Sequence, residues 1–502
     1  MRHFSFGVRP LRMAGVLLLA LTACRGSSIA LPSVTSFAGA QRSQSLQPLA
    51  KSKIKHVVII IQENRGFNNL FLGYPGATTQ SWGLDSQNKH IPLKPVPLTR
   101  KWDMEHNGQG FIKSCNGTGK IVQGTDCQMN GFDKEKCSPI LSCPRGPNSK
   151  YLAYSYAPPD ETKPYFDMAH QYVLADQMYA SDFDVSSFES HQYIIAGVNP
   201  NSSVDYPSNL YEWGCTAGRS DKIAVLRKDR IWLNAKGQDI KAERPCWDPN
   251  TIADELDAKK LSWAFYAVTV SGSGSYGCGD GGRNGADGNG YGSKGIWSAY
   301  QAIKHICYGP DWNENVKPFS PPSKFLTDVQ GGELRAVTWI TPTCADSDHA
   351  GCNAGAPPSS GPSWVASVVN AIGHSKFWDS CAIFIFWDDS GGWYDPEPPK
   401  YLKDSDYDSL GYRLPLLIIS PYAKKGYVDH THYEHGTILK FIENTFGLSA
   451  LDNPYDSDKR ANPPKDAFDF TQPPRKFVTI KAPLDAQYFI HERLDGLPPD
   501  TD

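Results

Sequence analysis

The sequence predicts an α/β protein with a three-layer α/β/α arrangement, a largely parallel central sheet and loop-rich, disulfide-bonded insertions. Three observations carry that prediction. Bare apolar runs of strand length recur at 54–61 (IKHVVIII), 382–387 (AIFIFW) and 414–420 (LPLLIIS), as expected of strands covered on both faces. Helical periods alternate with them, as at 361–372 (GPSWVASVVNAI) and 437–446 (TILKFIENTF), which implies crossover helices on both faces of the sheet. Several runs also end abruptly in polar residues, at the edge where open α/β sheets collect their ligands.

The N-terminus carries Arg2, Arg9 and Arg12 ahead of the short apolar run 14–23 (AGVLLLALTA). That run is too short to span a bilayer and has the layout of a secretory signal. It closes on Leu21-Thr22-Ala23-Cys24, which resembles a bacterial lipobox; a plain signal peptide is the alternative. Residues 1–23 are therefore read as a leader and Cys24 as a candidate lipid anchor to a membrane. The small, polar, aperiodic stretch 24–50 reads as a tether. Residues 51–450 form the predicted catalytic domain, and 451–502, rich in Pro and charge, a tail packed on it. An exported location follows: periplasmic, outer-membrane or secreted.

The 502 residues have a formal net charge of -3, so nothing argues for a nucleic-acid partner. Export licenses a disulfide reading of the 12 Cys. Removing Cys24 leaves an odd number, and sequence-local pairing gives Cys115–Cys127, Cys137–Cys143, Cys215–Cys246, Cys278–Cys307 and Cys344–Cys352, with Cys381 free. These pairs lack C-x-x-C spacing, which disfavours a cysteine metal centre.

The first strand run is followed by Gln62-Glu63-Asn64-Arg65 and the run at 382–387 by Asp388-Asp389-Ser390-Gly391-Gly392. Adjacent acids at a strand end are costly to hold together unless a cation or proton separates them. Glu63, Asn64, Asp388 and Asp389 are thus candidate metal ligands, although Glu63 alone could be a helix N-terminal acid. Residues 165–178 read as a helix leading into a strand, and Ser186-x-x-Glu189 resembles a capping box that starts a helix at Ser187 and stops it before Gly197. Ser187 would lie in the first turn, where free N–H groups favour an anion, with His191 on its face; both could equally serve a helix cap. Asp103 and His106 sit in a cysteine-rich loop, where a histidine is commonly solvated. The strand 334–340 (LRAVTWI) is followed by Asp346, Asp348 and His349. The amphipathic stretch 251–260 and strand-like 261–268 continue the alternation. The glycine-dense stretch 271–292 lacks a phosphate-binding P-loop signature.

Oxygen-rich ligands suit one divalent ion, Mg, Mn or Ca, with Zn also compatible. Such an ion beside a serine hydroxyl fits phosphoryl transfer, which needs positioning and charge neutralisation. Ser187 lacks the G-x-S-x-G surroundings of an esterase.

Long stretches then resemble the bacterial phosphoesterase family that joins nonspecific phospholipases C and acid phosphatases, within the alkaline-phosphatase-like superfamily. They are HVVIIIQENRGFNNLFLGYPGA from His56, SFESHQYIIAG from Ser187, RPCWDPNTIADELD from Arg244, SDHAG from Ser347, WDDSGGWYDPEPP from Trp387 and the segment from Gly411 to Glu443. The resemblance implies one metal bound by Glu63, Asn64, Asp388 and Asp389, a phosphoserine at Ser187, and His106 and His349 contacting phosphate or leaving group. His191, Asp346, Asp348 and Asp103 stand as possible supporting residues. The implied substrate is a phosphomonoester or a phospholipid. Two departures bear on substrate preference: Asp395-Pro396-Glu397 replaces an Asp-His-Val pattern, and Ser190 replaces an asparagine. A catalytically weak surface lipoprotein that binds phosphorylated ligands is the competing expectation.

Overall fold

A computed structural model describes residues 53–117, 127–138, 143–183, 187–199, 214–216, 223–225, 241–243, 245–268, 278, 296–399, 410–453 and 456–493. The leader, the tether, Ser186 and most of the glycine-dense stretch lie outside the described residues.

The apolar runs become the strands of one sheet. In chain order these are β1 (His56–Gln62), β2 (Val173–Tyr179), β3 (Trp263–Tyr266), β4 (Val337–Ile340), β5 (Cys381–Trp387), β6 (Arg413–Ile419), β7 (Tyr427–Asp429) and β8 (Tyr433–Glu434). The order is β3-β4-β1-β5-β6-β2-β7, and β8 also pairs with β2. Every pairing is parallel except the two made by β6, which runs against β5 and β2. The predicted, largely parallel sheet is observed, with one reversed strand that its apolar run gave no means of orienting. All seven residues of β5 and of β6 are buried, so both faces are covered.

Helices α1 (Lys163–Gln171), α3 (Lys324–Gln330), α4 (Ser360–Gly373) and α7 (Ala486–His491) share one packing group, through α4. A second group joins α2 (Ser187–Ala196) to α5 (Gly436–Phe446) and α5 to α6 (Ser457–Arg460). Helix α2 begins at the predicted residue and is closed by Gly197 at φ 68°, a left-handed conformation that glycine adopts at little cost. The five sequence-local disulfides are present, and Cys381 is a buried free thiol. Past residue 450, Leu451, Phe468, Ile480 and Phe489 enter the main hydrophobic core.

Register decides where chemistry can occur. Gln62 is level with Trp387 and Ile60 with Ile340 across parallel pairs. Glu63-Asn64, Asp388-Asp389 and the loop containing His349 therefore leave the sheet at one end. Strand β2 runs in the same direction, being antiparallel to β6 as β5 is, so the chain leading to Ser187 leaves at that end too.

A buried ion pair ties this end together. Arg413 donates from Nε to Asp395 at 3.1 Å and from Nη1 to the Asp176 carbonyl at 3.0 Å. Asp395 also accepts from the backbone N–H of Asn68 at 3.1 Å. Breaking such a pair strands a buried charge, so Asp395→Ala should lower the unfolding free energy by about 3–5 kcal/mol in chemical denaturation. A second expectation concerns Glu443 on α5. Burial, then Asp458 of α6, raises its pKa from 4.5 to about 9. The folded chain then binds a proton that the unfolded chain has released, so this group makes stability fall as pH climbs through that interval. Glu443→Gln should flatten the fall, and an unchanged pH profile of unfolding would refute the assignment.

Candidate active site

Glu63, Asp388 and His191 converge beyond β1 and β5. The His191 Nε2 lies 3.1 Å from Glu63 Oε1 and 3.9 Å from Asp388 Oδ2, and one ligand atom from each of the three falls within 4.8 Å of the others. All three side chains are buried. Two carboxylates this close do not ionise together without a positive charge. Burial, then Asp388, pushes the Glu63 carboxyl well above its usual range. Burial would also raise Asp388, but His191, the Glu63 proton and backbone amides override it and hold Asp388 below its usual value. Burial lowers His191 to about 4, against the opposing pull of Asp388.

Asn64 sits at φ 58°, a left-handed conformation that asparagine tolerates better than most residues. Its N–H donates to Asp388 Oδ1 at 2.9 Å, and its Nδ2 lies 2.8 Å from His106 Nε2. The His106 Nδ1 is 2.7 Å from the Met104 carbonyl, which fixes the proton there and leaves Nε2 to accept from the amide. The Asn64 Oδ1 is thereby turned away from His106 and has no hydrogen-bond partner among the described residues. Asp389 accepts from the Gly391 N–H at 2.7 Å. The turn needs Gly391: its φ is +61°, and a Cβ there would come within 2.0 Å of the Asn64 carbonyl oxygen.

Ser187 opens α2, one helical turn before His191 and about 6 Å from it along the axis. Its Oγ is buried and has no hydrogen-bond partner among the described residues. The neighbouring Phe188 packs with Trp297, whose ring centroid lies 6.0 Å from that of His349. His349 in turn lies 5.9 Å from the His106 ring. The His349 Nδ1 faces the Ala350 carbonyl at 2.7 Å and Asp103 Oδ2 at 3.4 Å, leaving a buried Nε2 with no hydrogen-bond partner among the described residues. Asp103 is also 3.9 Å from His106 Nδ1. Asp103, His106 and His349 form a second group close enough to hold a metal. Both Nδ1 atoms already face carbonyls, however, so this trio works better as an electrostatic brace than as a cation cage.

Two predicted supporting residues point elsewhere. The Asp348 carboxylate accepts from Tyr165 at 2.7 Å and Trp387 at 3.0 Å, which props β5 rather than facing the acids. Asp346 turns to Thr343, Ser360 and Glu492. The sequence reading missed His435, which is fully buried, packs on Phe386 with 5.7 Å between ring centroids and is lowered to about 4 by burial. Its signal was the Glu434-His435-Gly436 start of α5, inside a stretch already noted for its resemblance.

The donor set suits a hard cation. Apart from the contact that Glu63 and Asp388 make with each other, Glu63 Oε2, Asn64 Oδ1 and Asp388 Oδ2 are buried oxygens with no hydrogen-bond partner among the described residues, and carboxylates plus an amide oxygen are the ligands such ions take.

The chain is 22% identical over 449 residues to "Non-specific phospholipase C1" of Arabidopsis thaliana, covering 82% of this chain and 70% of that one. It is 23% identical over 449 residues to "Hemolytic phospholipase C" of Pseudomonas aeruginosa, covering 79% of this chain and 53%, about half, of the relative. A solved structure from Vibrio parahaemolyticus, titled as a protein in the alkaline phosphatase superfamily, matches 80% of this chain and 68% of its own at 10% identity and a TM-score of 0.33. The Phosphoesterase family model matches residues 54–449, a span that holds the paired acids, the helix of Ser187 and both braced imidazoles; the chain belongs to the Phosphoesterase family, whose reaction class is the hydrolysis of phosphoric ester bonds.

Proposed function

We propose that the chain is an exported, metal-dependent phosphoesterase that hydrolyses phosphomonoesters or phospholipids through a phosphoserine on Ser187. The observation that carries this reading is the set of buried oxygens on Glu63, Asn64 and Asp388, contacted by His191 of the helix that Ser187 opens, with a buried Ser187 hydroxyl that has no partner among the described residues. Glu63, Asn64, Asp388 and Asp389 would hold one divalent ion, with Mg, Mn, Ca and Zn all compatible. When bound, it would supply charge neutralisation to phosphoryl oxygens and favour the ionised serine. Ser187 Oγ attacks phosphorus, the alcohol departs, and water then cleaves the phosphoserine to regenerate the hydroxyl. His349, in its imidazolium form, gives its Nε2 proton to the departing alcohol oxygen and takes one back from the water that cleaves the phosphoserine. The N–H groups at the start of α2 favour the phosphoryl charge. His106 acts as a positioning residue through the Asn64 amide.

Five disulfides support export. The leader and the lipid anchor at Cys24 rest on the sequence pattern, and among the described residues no helix is long and apolar enough to cross a membrane.

Ser187→Ala should lower p-nitrophenyl phosphate turnover by about 10⁴-fold or more while leaving the melting temperature unchanged; retained turnover would remove Ser187 as nucleophile. Asp388→Ala should purify without metal by elemental analysis, and wild-type metal content in that variant would refute the ligand assignment. Burial and Asp388 raise the Glu63 carboxyl, so binding of a cation there should release protons. Calorimetry in buffers of different ionisation enthalpy measures the release, and a zero count would contradict the raised Glu63 carboxyl.

A further inference from the structure

A two-stranded antiparallel ribbon pairs Trp82–Leu84 with His90–Pro92. Its residues alternate: Gly83 and Ile91 are buried, whereas Trp82, His90 and Pro92 are exposed. The inner face rests on Tyr394, so closely that a Cβ on Gly83 would come within 2.5 Å of that ring. Tyr394 lies in the loop that Asp388 and Asp389 begin. On the outer face Trp82 is 37% exposed, and Val478 is the only other large hydrophobic residue so open among the described residues. The Trp82 ring stacks on His90 with 4.5 Å between centroids.

Charge on this part of the chain is sorted by exposure. The alternation runs on past the ribbon to an exposed Lys94 after a buried Leu93. At the ribbon's tip Lys89 is exposed, and its Nζ and that of Lys150 lie over the Tyr151 ring at 5.7 and 4.7 Å. Lys101, Lys134, Lys136 and Arg145 are exposed as well. The acids described between 82 and 150 are not: Asp85, Asp103 and Glu135 are buried, and Glu105 and Asp133 half-buried. Asp85 is taken up by the N–H groups of Gln87 and Lys89 and by the Tyr151 hydroxyl, and Asp133 by Ser86. The whole chain has a net charge of -3, so this cationic, aromatic surface is a local feature.

We propose that the ribbon docks on the surface of a bilayer that contains anionic phospholipids, with Trp82 entering the head-group layer and the lysines around it facing lipid phosphates. Indole rings settle where membrane meets water, and lysines are drawn to an anionic surface within a Debye length of it. The contact is separate from the lipid anchor expected at Cys24 and does not depend on which ester the site cuts. Because the ribbon is seated on the loop of the paired acids, docking holds that end of the sheet near lipid.

The test is co-flotation with vesicles of the mature chain, residues 24–502 carrying Cys24→Ser, which has neither the expected leader nor the expected anchor. The vesicles are phosphatidylcholine alone, or phosphatidylcholine with about a third phosphatidylglycerol to supply the anionic surface. Binding should be about tenfold or more tighter to the anionic vesicles and should weaken as salt is raised. Trp82→Ala should weaken it about tenfold, and Lys89→Glu combined with Lys94→Glu should remove the preference for anionic vesicles. Lys376→Glu combined with Lys481→Glu, at exposed lysines beside the groove between α3 and α4, makes the same change in net charge and should leave binding as it was. Equal binding to both vesicles, an undiminished preference in the Lys89 and Lys94 pair, or an equal loss in the Lys376 and Lys481 pair overturns the proposal. Unchanged binding of Trp82→Ala also overturns it, and heparin binding by that variant would mark a surface for soluble polyanions instead. If Trp82→Ala fails to fold by circular dichroism, quenching decides: brominated acyl chains in anionic vesicles must quench the tryptophan fluorescence of the parent chain, and no quenching overturns the proposal. Turnover of p-nitrophenyl phosphate should be the same in the parent and the ribbon variants. Its absence from the parent would sink the phosphoesterase reading, and flotation would still judge the ribbon.

Discussion

Glu63 and Asp388 leave neighbouring parallel strands at the same level, both buried, and the positive charge that two such carboxylates require is what the surrounding structure is arranged to accommodate. Burial and the neighbouring Asp388 raise the Glu63 carboxyl, and burial lowers the His191 ring beside it. Burial of a charged pair normally costs several kcal/mol per ion after relaxation. The sheet tolerates that cost because β1 and β5 are paired along seven residues, almost all of them buried and apolar, so the strand ends cannot splay to let water in. The same rigidity that forces the acids together preserves the arrangement for a cation.

Around that pair, the loops are shaped by backbone contacts more than by side-chain packing. The left-handed Asn64 turns its N–H onto Asp388, and Trp393 donates to the Asn64 carbonyl at 3.2 Å. Gly391 lets the β5 loop pass close to that carbonyl. Asp395 then anchors the loop to Arg413 on β6 and to the Asn68 amide. A disulfide closes the loop of His349 at Cys344 and Cys352. Each device fixes one segment of the candidate site against a strand end, which is how residues far apart in sequence are held together.

Much of this was legible in the sequence, for identifiable reasons. Bare β-branched runs specify strands buried on both faces, and the polar break after each one marks its end, so Glu63, Asn64, Asp388 and Asp389 could be named before any coordinates. The start of α2 was legible because a serine-glutamate spacing followed by helical periodicity is a local signal. Direction is not local, so the reversal of β6 left no trace in LPLLIIS. Side-chain aim is not local either. Asp346 and Asp348 follow a strand as Asp388 does, yet tertiary partners draw one to Ser360 and the other to Trp387. His435 was missed because burial beside the acids is a property of the packed structure that no spacing announces.

The Asp395-Pro396-Glu397 segment, where the resemblance leads one to expect a histidine, is a reason to ask which imidazole handles protons. Asp395 is committed to Arg413 and to backbone amides, so this segment contributes structure whatever residue follows it. Among the imidazoles near the site, His106 has its lone pair engaged by Asn64 and His191 faces Glu63. His435 packs against Phe386, with the backbone of Trp387 and Asp388 against its ring. His349 differs from all three: its Nδ1 faces the Ala350 carbonyl with Asp103 behind it, and its buried Nε2 has no hydrogen-bond partner among the described residues. The carbonyl fixes the tautomer, so His349 presents an oriented, unengaged nitrogen, which is the geometric ground for the leaving-group role the proposed mechanism gives it.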